Sequence, residues 1–311
     1  MKYMNMKTNI RSRAIGLLIL LAPFVSGAQR VVQFDRISAY HSIQVYDENG
    51  KRTLSFNGSW ETTMSLTNTL AGHFEYTEYF QMPWLWNTNI HRVLMEGLGG
   101  GSTPRAYQHY FTNVMVDVVE IDPVVVEVAK KYFTVAESPT LKINIQDGRV
   151  FLRQTTNVYD VILMDAYSTT TYGSSLPRQL TTKEFFTLAS QHLSTNGVLA
   201  YNVIGQIQGN YRANVIGAIY RTMKEVFPQV YMFPADESLN VVIIGTKSKE
   251  NYDIVRVWDQ ARALISSGTV TLPTFNRRAG NFTNRPPPNV AQSPVLTDDY
   301  APIESLLNGK Q

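Results

Sequence analysis

Short apolar runs alternate with amphipathic stretches through the middle of this chain, from about residue 92 to residue 226. The apolar runs have the length of strands, and the stretches between them place apolar residues at helical spacing. Strands that alternate with helices form right-handed crossovers, which build a parallel sheet. The predicted strands are Val93–Met95, Met115–Val119, Leu141–Ile145, Val161–Met164 and Val198–Val203. The predicted helices cover residues 104–110, 123–133, 181–193 and 210–226.

The chain before this region has a strand-like pattern. Residues 31–60 alternate between apolar and polar positions, and Asn49-Gly50 and Asn57-Gly58 mark two tight turns. An Asn-Gly pair between two short apolar runs is a hairpin signal, so this segment predicts a small antiparallel β unit. Residues 70–86 are rich in aromatic side chains, and we predict a helix there up to Pro83.

The chain after residue 226 departs from the alternation. Two further strands, Val230–Phe233 and Val241–Gly245, follow each other with no helical stretch between them. They predict a terminal antiparallel hairpin, which is typical of methyltransferase-like sheets rather than of dehydrogenases. Residues 250–266 predict a last helix, and residues 273–294, rich in Pro, Asn and Arg, predict a loop or an extended arm.

The predicted fold class is therefore α/β. We expect a Rossmann-like sheet of the S-adenosylmethionine-methyltransferase type with a small N-terminal antiparallel β domain. The predicted parts are a terminal segment at 1–28, the β-hairpin domain with its helix at 29–88, the Rossmann-like domain at 89–248, and a C-terminal helix and Pro-rich arm at 249–311.

The composition is that of a globular protein, since 44% of the 311 residues are apolar and 17% are charged. The absence of cysteine excludes disulfides, thiolate metal sites and cysteine nucleophiles. The net charge of +3 includes four cations in the first 28 residues, and the rest holds 24 basic against 25 acidic residues. This near-neutral balance gives no reason to expect nucleic acid as a partner. The five histidines show no metal-ligand spacing with acids, so we expect no metal site.

The first 28 residues resemble an export signal. A basic stretch precedes the apolar run Ala14–Val25, and the small residues Ser26-Gly27-Ala28 follow where a signal peptidase would cut. The run is shorter than the roughly 20 residues that a membrane-spanning helix needs. We predict a cleaved signal peptide and a periplasmic or extracellular protein. An uncleaved membrane anchor, or a start codon at Met4 or Met6, remains open.

A glycine loop follows the first strand of the predicted parallel sheet. It contains Gly97, Gly99, Gly100 and Gly101, and a helix begins just after it, with Ser102 or Thr103 able to cap that helix and Pro104 suited to its first position. Glycines let a backbone approach a ligand closely, and the amides of a helix N-terminus attract anionic groups. By itself such a loop fits a ligand site and a plain tight turn equally well.

Carboxylates follow the next three strands. Glu120 ends the second strand and is placed to accept hydrogen bonds from ribose hydroxyls. Asp147-Gly148 follows the third strand, where the acid could reach an adenine amino group, and Asp165 follows the fourth. Because ligands of open α/β sheets bind at the carboxyl ends of the strands, these residues predict an adenosyl site. Helix capping, a plain turn and a loop hydrogen bond are the respective alternatives.

At these residues the chain resembles a known family, the polyamine aminopropyltransferases or spermidine synthases, over about residues 40–248. The motifs that carry the resemblance are Gly97–Gly101, Val119–Asp122, Gln146–Gly148, Tyr159–Asp165, Thr181–Phe186, Gly197–Leu199, Asn57–Glu61 and Phe74–Glu78. Residues Leu296–Glu304 resemble a C-terminal motif of the spermidine synthase-like branch.

The resemblance implies an activity in polyamine biosynthesis. The family moves an aminopropyl group from decarboxylated S-adenosylmethionine to an amine, by substitution at a carbon next to a sulfonium. The implied co-substrate is decarboxylated S-adenosylmethionine or S-adenosylmethionine, without a metal, and the implied partner is a small-molecule amine. The family also suggests a homodimer, and a membrane is a partner only if the N-terminal segment is uncleaved.

The chain departs from the family pattern on the amine side. The family has two aspartates after the fourth strand, of which the second is the expected base. Asp165 matches the first, while Ser168, whose hydroxyl has no useful basicity, stands at the second. Glu61 and Thr77 also replace the family's residues. The candidate catalytic residues are Asp165, Tyr167 and Ser168, and the candidate substrate residues are Glu61, Tyr76 and Glu78.

Three hypotheses about function follow. The leading one is an aminopropyltransferase-like enzyme that acts on an adenosyl sulfonium and an amine. The second is an S-adenosylmethionine-dependent methyltransferase on the same scaffold, because the base aspartate is missing. The third is an exported binding protein without catalysis. A dehydrogenase is the weakest hypothesis about function, since the usual six-residue glycine spacing is absent.

Overall fold

The computed structural model describes residues 29–170, 173–208 and 212–308. The predicted signal peptide lies outside these residues. No helix of the described ranges combines the length and the apolar character that crossing a membrane requires.

The N-terminal strands form an antiparallel sheet in the order β1-β2-β3-β4. Their bounds are Val31–Ile37 for β1, Ser42–Glu48 for β2, Lys51–Phe56 for β3 and Ser59–Ser65 for β4. Asn49 and Gly50 have φ of 51° and 72°, and Asn57 and Gly58 have φ of 49° and 87°. Left-handed backbone at both turn residues is the geometry that Asn-Gly pairs favour in two-residue hairpins. The predicted β unit is confirmed.

A 3-10 helix, Glu75–Leu85, connects this sheet to the rest of the molecule. The predicted helix is therefore present, but it has tighter turns and continues past Pro83. Proline lacks an amide hydrogen, and in an α-helix its ring would clash with the carbonyl of Tyr79, which favours the tighter turns. The buried side chains of Tyr79, Phe80 and Trp84 anchor the helix in the core.

The large sheet has the strand order β12-β13-β11-β8-β5-β6-β7. Neighbours from β11 to β7 are parallel, whereas β13 runs antiparallel to both β11 and β12. This order confirms the parallel sheet with its terminal antiparallel hairpin. The remaining strands are β5 Arg92–Glu96, β6 Met115–Glu120, β7 Leu141–Ile145, β8 Tyr159–Met164, β9 Ser168–Thr170, β10 Gly173–Ser175, β11 Leu193–Ile204, β12 Gln229–Pro234 and β13 Asn240–Thr246.

Helices cover both faces of the large sheet, and the two main hydrophobic clusters lie on its opposite faces. The helices are α1 Ser102–Tyr110, α2 Pro123–Tyr132, α3 Gly148–Gln154, α4 Lys183–Gln191, α5 Ala213–Lys224, α6 Ile254–Ser266, α7 Phe275–Ala279 and α8 Ile303–Asn308, with a 3-10 turn at Arg178–Leu180. The helices α3, α7 and α8 have no counterpart in the sequence prediction, because five to seven residues are too few to show a helical period.

Two local predictions are wrong. The cap of α1 is Gly101, with φ of 70°, and Ser102 is already the first helical residue. A side chain at Gly101 would sit in the left-handed region and overlap Val135, so glycine suits this position better than a capping serine. Residues 273–294 are also more than an arm, because α7 lies within them and Thr283 exchanges backbone hydrogen bonds with Met232 of β12.

Candidate active site

A cavity of about 290 Å³ opens at the carboxyl ends of β5, β6, β7 and β8. Residues of the N-terminal sheet and of the 3-10 helix Glu75–Leu85 also line it. Most of the predicted site residues line it: Glu61, Tyr76, Gly97, Gly99, Glu120, Asp147, Gly148, Asp165, Tyr167 and Ser168. The fold thus brings most of the predicted adenosyl residues and two of the three predicted substrate residues to one cavity.

The glycine loop is held on three sides. Gly97, with φ of 94°, lies so close to Asp165 that a side chain there would overlap the Asp165 carbonyl. The Leu98 amide donates to Glu120 Oε2 at 3.0 Å, and the Gly100 amide donates to Thr62 Oγ1 at 2.9 Å. Gly100 and Gly101 do not line the cavity. They lie in the part of the loop behind the lining residues, and Gly101 is the N-cap residue of α1.

Glu120 is buried at the end of β6. Its two oxygens accept from the amides of Leu98 and Asp122, at 3.0 and 2.9 Å. Burial raises the pKa of Glu120 to about 7, although these backbone hydrogen bonds oppose the rise. The alternative role, capping of α2, belongs to Asp122, which accepts from the Val124 amide at 2.9 Å. Glu120 is therefore available to a ligand while it fixes the glycine loop.

The third strand contributes Asp147 and Gly148. Asp147 caps α3 by accepting from the Val150 amide at 2.9 Å, and it also lines the cavity. Glu96, at the end of β5, is a site residue that sequence reasoning missed. It lines the cavity, and neither of its carboxyl oxygens has a hydrogen-bond partner in the described part of the chain. Burial, with the nearby Asp147 charge, raises its pKa to about 8, and Gly148 is needed because a side chain there would overlap the Glu96 carboxyl. The sequence does contain a signal for this residue, because Glu96 is an acid directly after the apolar run Val93–Met95.

Asp165 lines the cavity directly after β8. It accepts from Asn202 Nδ2 at 2.9 Å and from the Tyr76 hydroxyl at 3.2 Å. Burial raises the pKa of Asp165 to about 6, against the opposing effect of these two hydrogen bonds. Asn202, which sequence reasoning did not single out, is oriented by Asn240 Nδ2, which donates to its Oδ1 at 3.0 Å. The carboxylate is thus held by two hydrogen bonds and is more basic than an ordinary aspartate.

Tyrosines flank this carboxylate. The Tyr167 hydroxyl donates to the Asn202 carbonyl at 2.8 Å, so its ring is fixed along the cavity wall. Burial raises the pKa of both Tyr76 and Tyr167, so both hydroxyls stay protonated and act as hydrogen-bond donors.

The strand after Tyr167 is part of a short antiparallel hairpin, β9 with β10. The Ser168 hydroxyl donates to the Ser175 carbonyl at 3.3 Å within this hairpin. The Ser174 hydroxyl donates to Glu61 Oε1 at 3.3 Å, which joins the hairpin to β4. Burial raises the pKa of Glu61 to about 7, with a further contribution from the Asp165 charge.

Glu78 does not line this cavity. It lies on the neighbouring side of the 3-10 helix, where Arg278 Nε donates to it at 2.5 Å and His73 Nε2 lies 3.1 Å away. Arg278 also bonds Glu75 at 2.6 Å and is almost fully buried. The pair ties the helix to α7, so the structure places Glu78 in the scaffold instead of with the other candidate substrate residues.

The cavity is strongly acidic. Five carboxyl groups line it, those of Glu61, Glu96, Glu120, Asp147 and Asp165, and none of the described lining residues is a lysine or an arginine. Such a lining favours a cationic ligand, because each ionised carboxylate gains from a nearby positive charge.

The terminal antiparallel hairpin, the glycine loop after the first parallel strand and the carboxylates on the following strands define a methyltransferase-like α/β protein. The family model described as the spermine/spermidine synthase domain matches residues 73–254, and the chain belongs to this family.

Individual relatives agree with this assignment. The chain is 29% identical to a polyamine aminopropyltransferase of Vibrio vulnificus over 303 residues, which cover 93% of this chain and 96% of that protein. A probable spermidine synthase from Corynebacterium glutamicum has a TM-score of 0.62 at 19% identity, over 81% of this chain and 95% of that one. A spermidine synthase in complex with the transition state analogue AdoDATO has a TM-score of 0.60 at 21% identity, over 80% and 88%. At these identities the solved structures show the fold.

Proposed function

We propose that this protein is an aminopropyltransferase that uses decarboxylated S-adenosylmethionine and an amine acceptor. The acidic lining of the cavity carries the proposal. Decarboxylated S-adenosylmethionine presents a sulfonium and an ammonium, and both are cations. Intact S-adenosylmethionine adds a carboxylate, which would lie among acids with no described lysine or arginine in the lining to meet it. The same lining therefore disfavours methyl transfer. The name of the Vibrio vulnificus relative agrees with this substrate class.

The donor is proposed to lie with its nucleoside along the carboxyl ends of β6 and β7. Glu120 accepts hydrogen bonds from the ribose hydroxyls, as the glycine loop brings the backbone close to the donor. In this placement Asp147 and Gly148 lie beside the base, and the lining residues Pro177 and Leu180 provide apolar surface for it. The sulfonium and its three-carbon tail then point toward Asp165 and Glu61.

Transfer is a substitution at the carbon next to the sulfonium. The acceptor nitrogen forms a bond to this carbon, the carbon–sulfur bond breaks with its electron pair going to sulfur, and methylthioadenosine leaves. The attacking nitrogen must give up a proton. We assign this proton to Asp165, because its carboxylate is held by Asn202 and Tyr76 and has a pKa of about 6. With Asp165 in this role, the serine at position 168 does not leave the site without a base.

The proposal is tested by incubating the chain from residue 29 onward with decarboxylated S-adenosylmethionine and linear diamines of graded length. We expect methylthioadenosine and an aminopropylated amine in equal amounts, both measured by mass spectrometry. Intact S-adenosylmethionine serves as the matched donor. A methylated amine from the intact donor, or no methylthioadenosine with any diamine, would contradict the proposal.

Glu61 is expected to select the donor. It precedes Thr62, which accepts a hydrogen bond from the glycine loop, and it lines the cavity close enough to Asp165 for that charge to raise its pKa. In Glu61→Gln the preference for the decarboxylated over the intact donor should fall about tenfold, because one negative charge near the tail is lost. The donor KM of the wild type should rise as pH falls through about 7, where Glu61 becomes protonated, and this dependence should weaken in the variant. Glu48→Gln, an ion-pair partner of Arg30 on β2, is the control. An unchanged donor preference would refute the assignment.

A further inference from the structure

The C-terminal motif Leu296–Glu304 contributes no residue to the cavity lining. Its segment 296–302 instead forms hydrogen bonds with residues that lie directly behind the lining. The Asp298 carboxylate accepts from Arg149 Nη1 and Nη2 at 2.7 and 2.6 Å, a bidentate pair. It also accepts from the Thr182 hydroxyl at 2.7 Å. Planar, bidentate pairing of this kind fixes geometry as well as adding energy. These bonds hold the pKa of the Asp298 carboxyl below its ordinary value, so it is ionised at neutral pH.

The partners of Asp298 belong to two different walls of the cavity. Arg149 directly follows Gly148, a lining residue at the start of α3. Arg149 Nη1 also donates to the Gln179 carbonyl at 3.3 Å, and Arg178 Nη2 donates to the Asp298 carbonyl at 3.0 Å. Gln179, in the turn Arg178–Leu180, also lines the cavity. Asp298 therefore links the wall at the start of α3, which contains Gly148, to the wall at the turn Arg178–Leu180, which contains Gln179.

The segment is itself fixed to the body of the protein. The Leu296 amide donates to Thr222 Oγ1 at 2.9 Å, and the Leu296 carbonyl accepts from the Lys183 amide at 2.8 Å. The side chain of Leu296 is fully buried. Asp298 thus transmits a fixed position from α4 and α5 to both walls, which lie beside the nucleoside base in the proposed placement of the donor.

We propose that Asp298 is a positioning residue which, through Arg149, sets the width of the pocket for the nucleoside base of the donor. The inference rests on the proposed function only in that the cavity binds an adenine nucleoside. It does not depend on which group is transferred. Loss of the Asp298 charge lets Gly148 and Gln179 move apart and lowers the affinity for the base, while the sulfur and amine ends of the cavity keep their shape.

The test compares methylthioadenosine with methylthioribose, which lacks the base, as ligands in calorimetry. In Asp298→Asn and in Arg149→Gln we expect methylthioadenosine to bind about tenfold more weakly, because small displacements of a positioned group cost affinity of this order. Binding of methylthioribose should not change. In turnover, the donor KM should rise by a similar factor, while the acceptor KM and kcat stay within about twofold of the wild type.

Asp299→Asn is the matched control, since Asp299 is the exposed neighbour of Asp298 and should behave as the wild type. The double variant Arg149→Gln/Asp298→Asn should be no weaker than either single variant, because both remove the same contact. Unchanged methylthioadenosine binding in the single variants overturns the inference, and so does an equal loss for both ligands, which would indicate general loosening. A wild-type protein that binds no methylthioadenosine refutes the proposed function, and the inference with it.

Discussion

Asp165→Asn is expected to lower kcat by about 10²- to 10⁴-fold, the usual contribution of a positioned general base. Asparagine keeps the shape, and its one oxygen can still accept from Asn202 while its amide nitrogen donates to the Tyr76 hydroxyl, but it cannot accept a proton from the attacking amine. Methylthioadenosine carries no charge, so its binding should be nearly unchanged. The wild-type kcat/KM should rise with pH through about 6, as Asp165 ionises, and the variant should lose this step.

Ser168→Ala is the informative comparison. The Ser168 hydroxyl donates to the Ser175 carbonyl and makes no described contact with Asp165, so its removal should change kcat by no more than a few fold. Steady-state kinetics of both variants over pH 5 to 9 separate the two positions. A severe loss in Ser168→Ala together with substantial activity in Asp165→Asn would place the base function at position 168.

Asp165→Asn should also stabilise the fold. The folded-state pKa of Asp165 is raised from 3.8 to about 6, so the folded state resists its ionisation. The cost in folding free energy is absent below pH 3.8, where Asp165 is protonated in both the folded and the unfolded state. It is complete above about pH 6, where Asp165 is ionised in both states. At about 1.4 kcal/mol per pKa unit, it reaches at most about 3 kcal/mol. Thermal unfolding should therefore show a higher Tm for Asp165→Asn at pH 8, and the difference should shrink to nothing as pH falls below about 4. An equal Tm difference at every pH would contradict this account.

Glu120→Gln is expected to weaken methylthioadenosine binding about 100-fold. Two hydrogen bonds from ribose hydroxyls to a carboxylate contribute about 1.5 kcal/mol or more each, and about 1.4 kcal/mol is a factor of ten. Glutamine also places an amide nitrogen against one of two backbone amides, those of Leu98 and Asp122, which both donate to the native carboxylate. The glycine loop then loses part of its support. Calorimetry with methylthioadenosine measures the loss directly.

A ligand without the ribose hydroxyls makes this result specific. Dideoxy-methylthioadenosine should bind the wild type as weakly as methylthioadenosine binds Glu120→Gln, and the variant should lose little more against this ligand. Glu127 is an exposed residue of α2 that pairs with Arg36 of β1. Glu127→Gln therefore controls for the removal of a carboxylate and should bind like the wild type. If Glu120→Gln weakens both ligands equally, Glu120 supports the loop without touching the ribose.

The sequence alone determined the parallel sheet and the cavity-lining residues at the carboxyl ends of its strands. The bounds of β7 agree with the prediction residue for residue, and the other parallel strands agree within a few residues except at the start of β11. The glycine loop, Glu120 and Asp147 were equally predictable, because each lies at or just after the carboxyl end of a strand. The apolar period, the glycine run and the terminal acid are local features, and the carboxyl ends of parallel strands always meet at one edge.

Only the tertiary structure decided how the remaining residues are used. Glu78 looked like a ligand of the amine, but it pairs with Arg278, which is 200 residues away in the chain. Asp165 gains its hydrogen bonds from Tyr76 and Asn202, on two elements far apart in sequence. Asp298 reaches Arg149 across 149 residues. The burial that raises a carboxyl pKa and the partner that neutralises it both come from packing between distant elements, and no local pattern of residues encodes which side chains will meet.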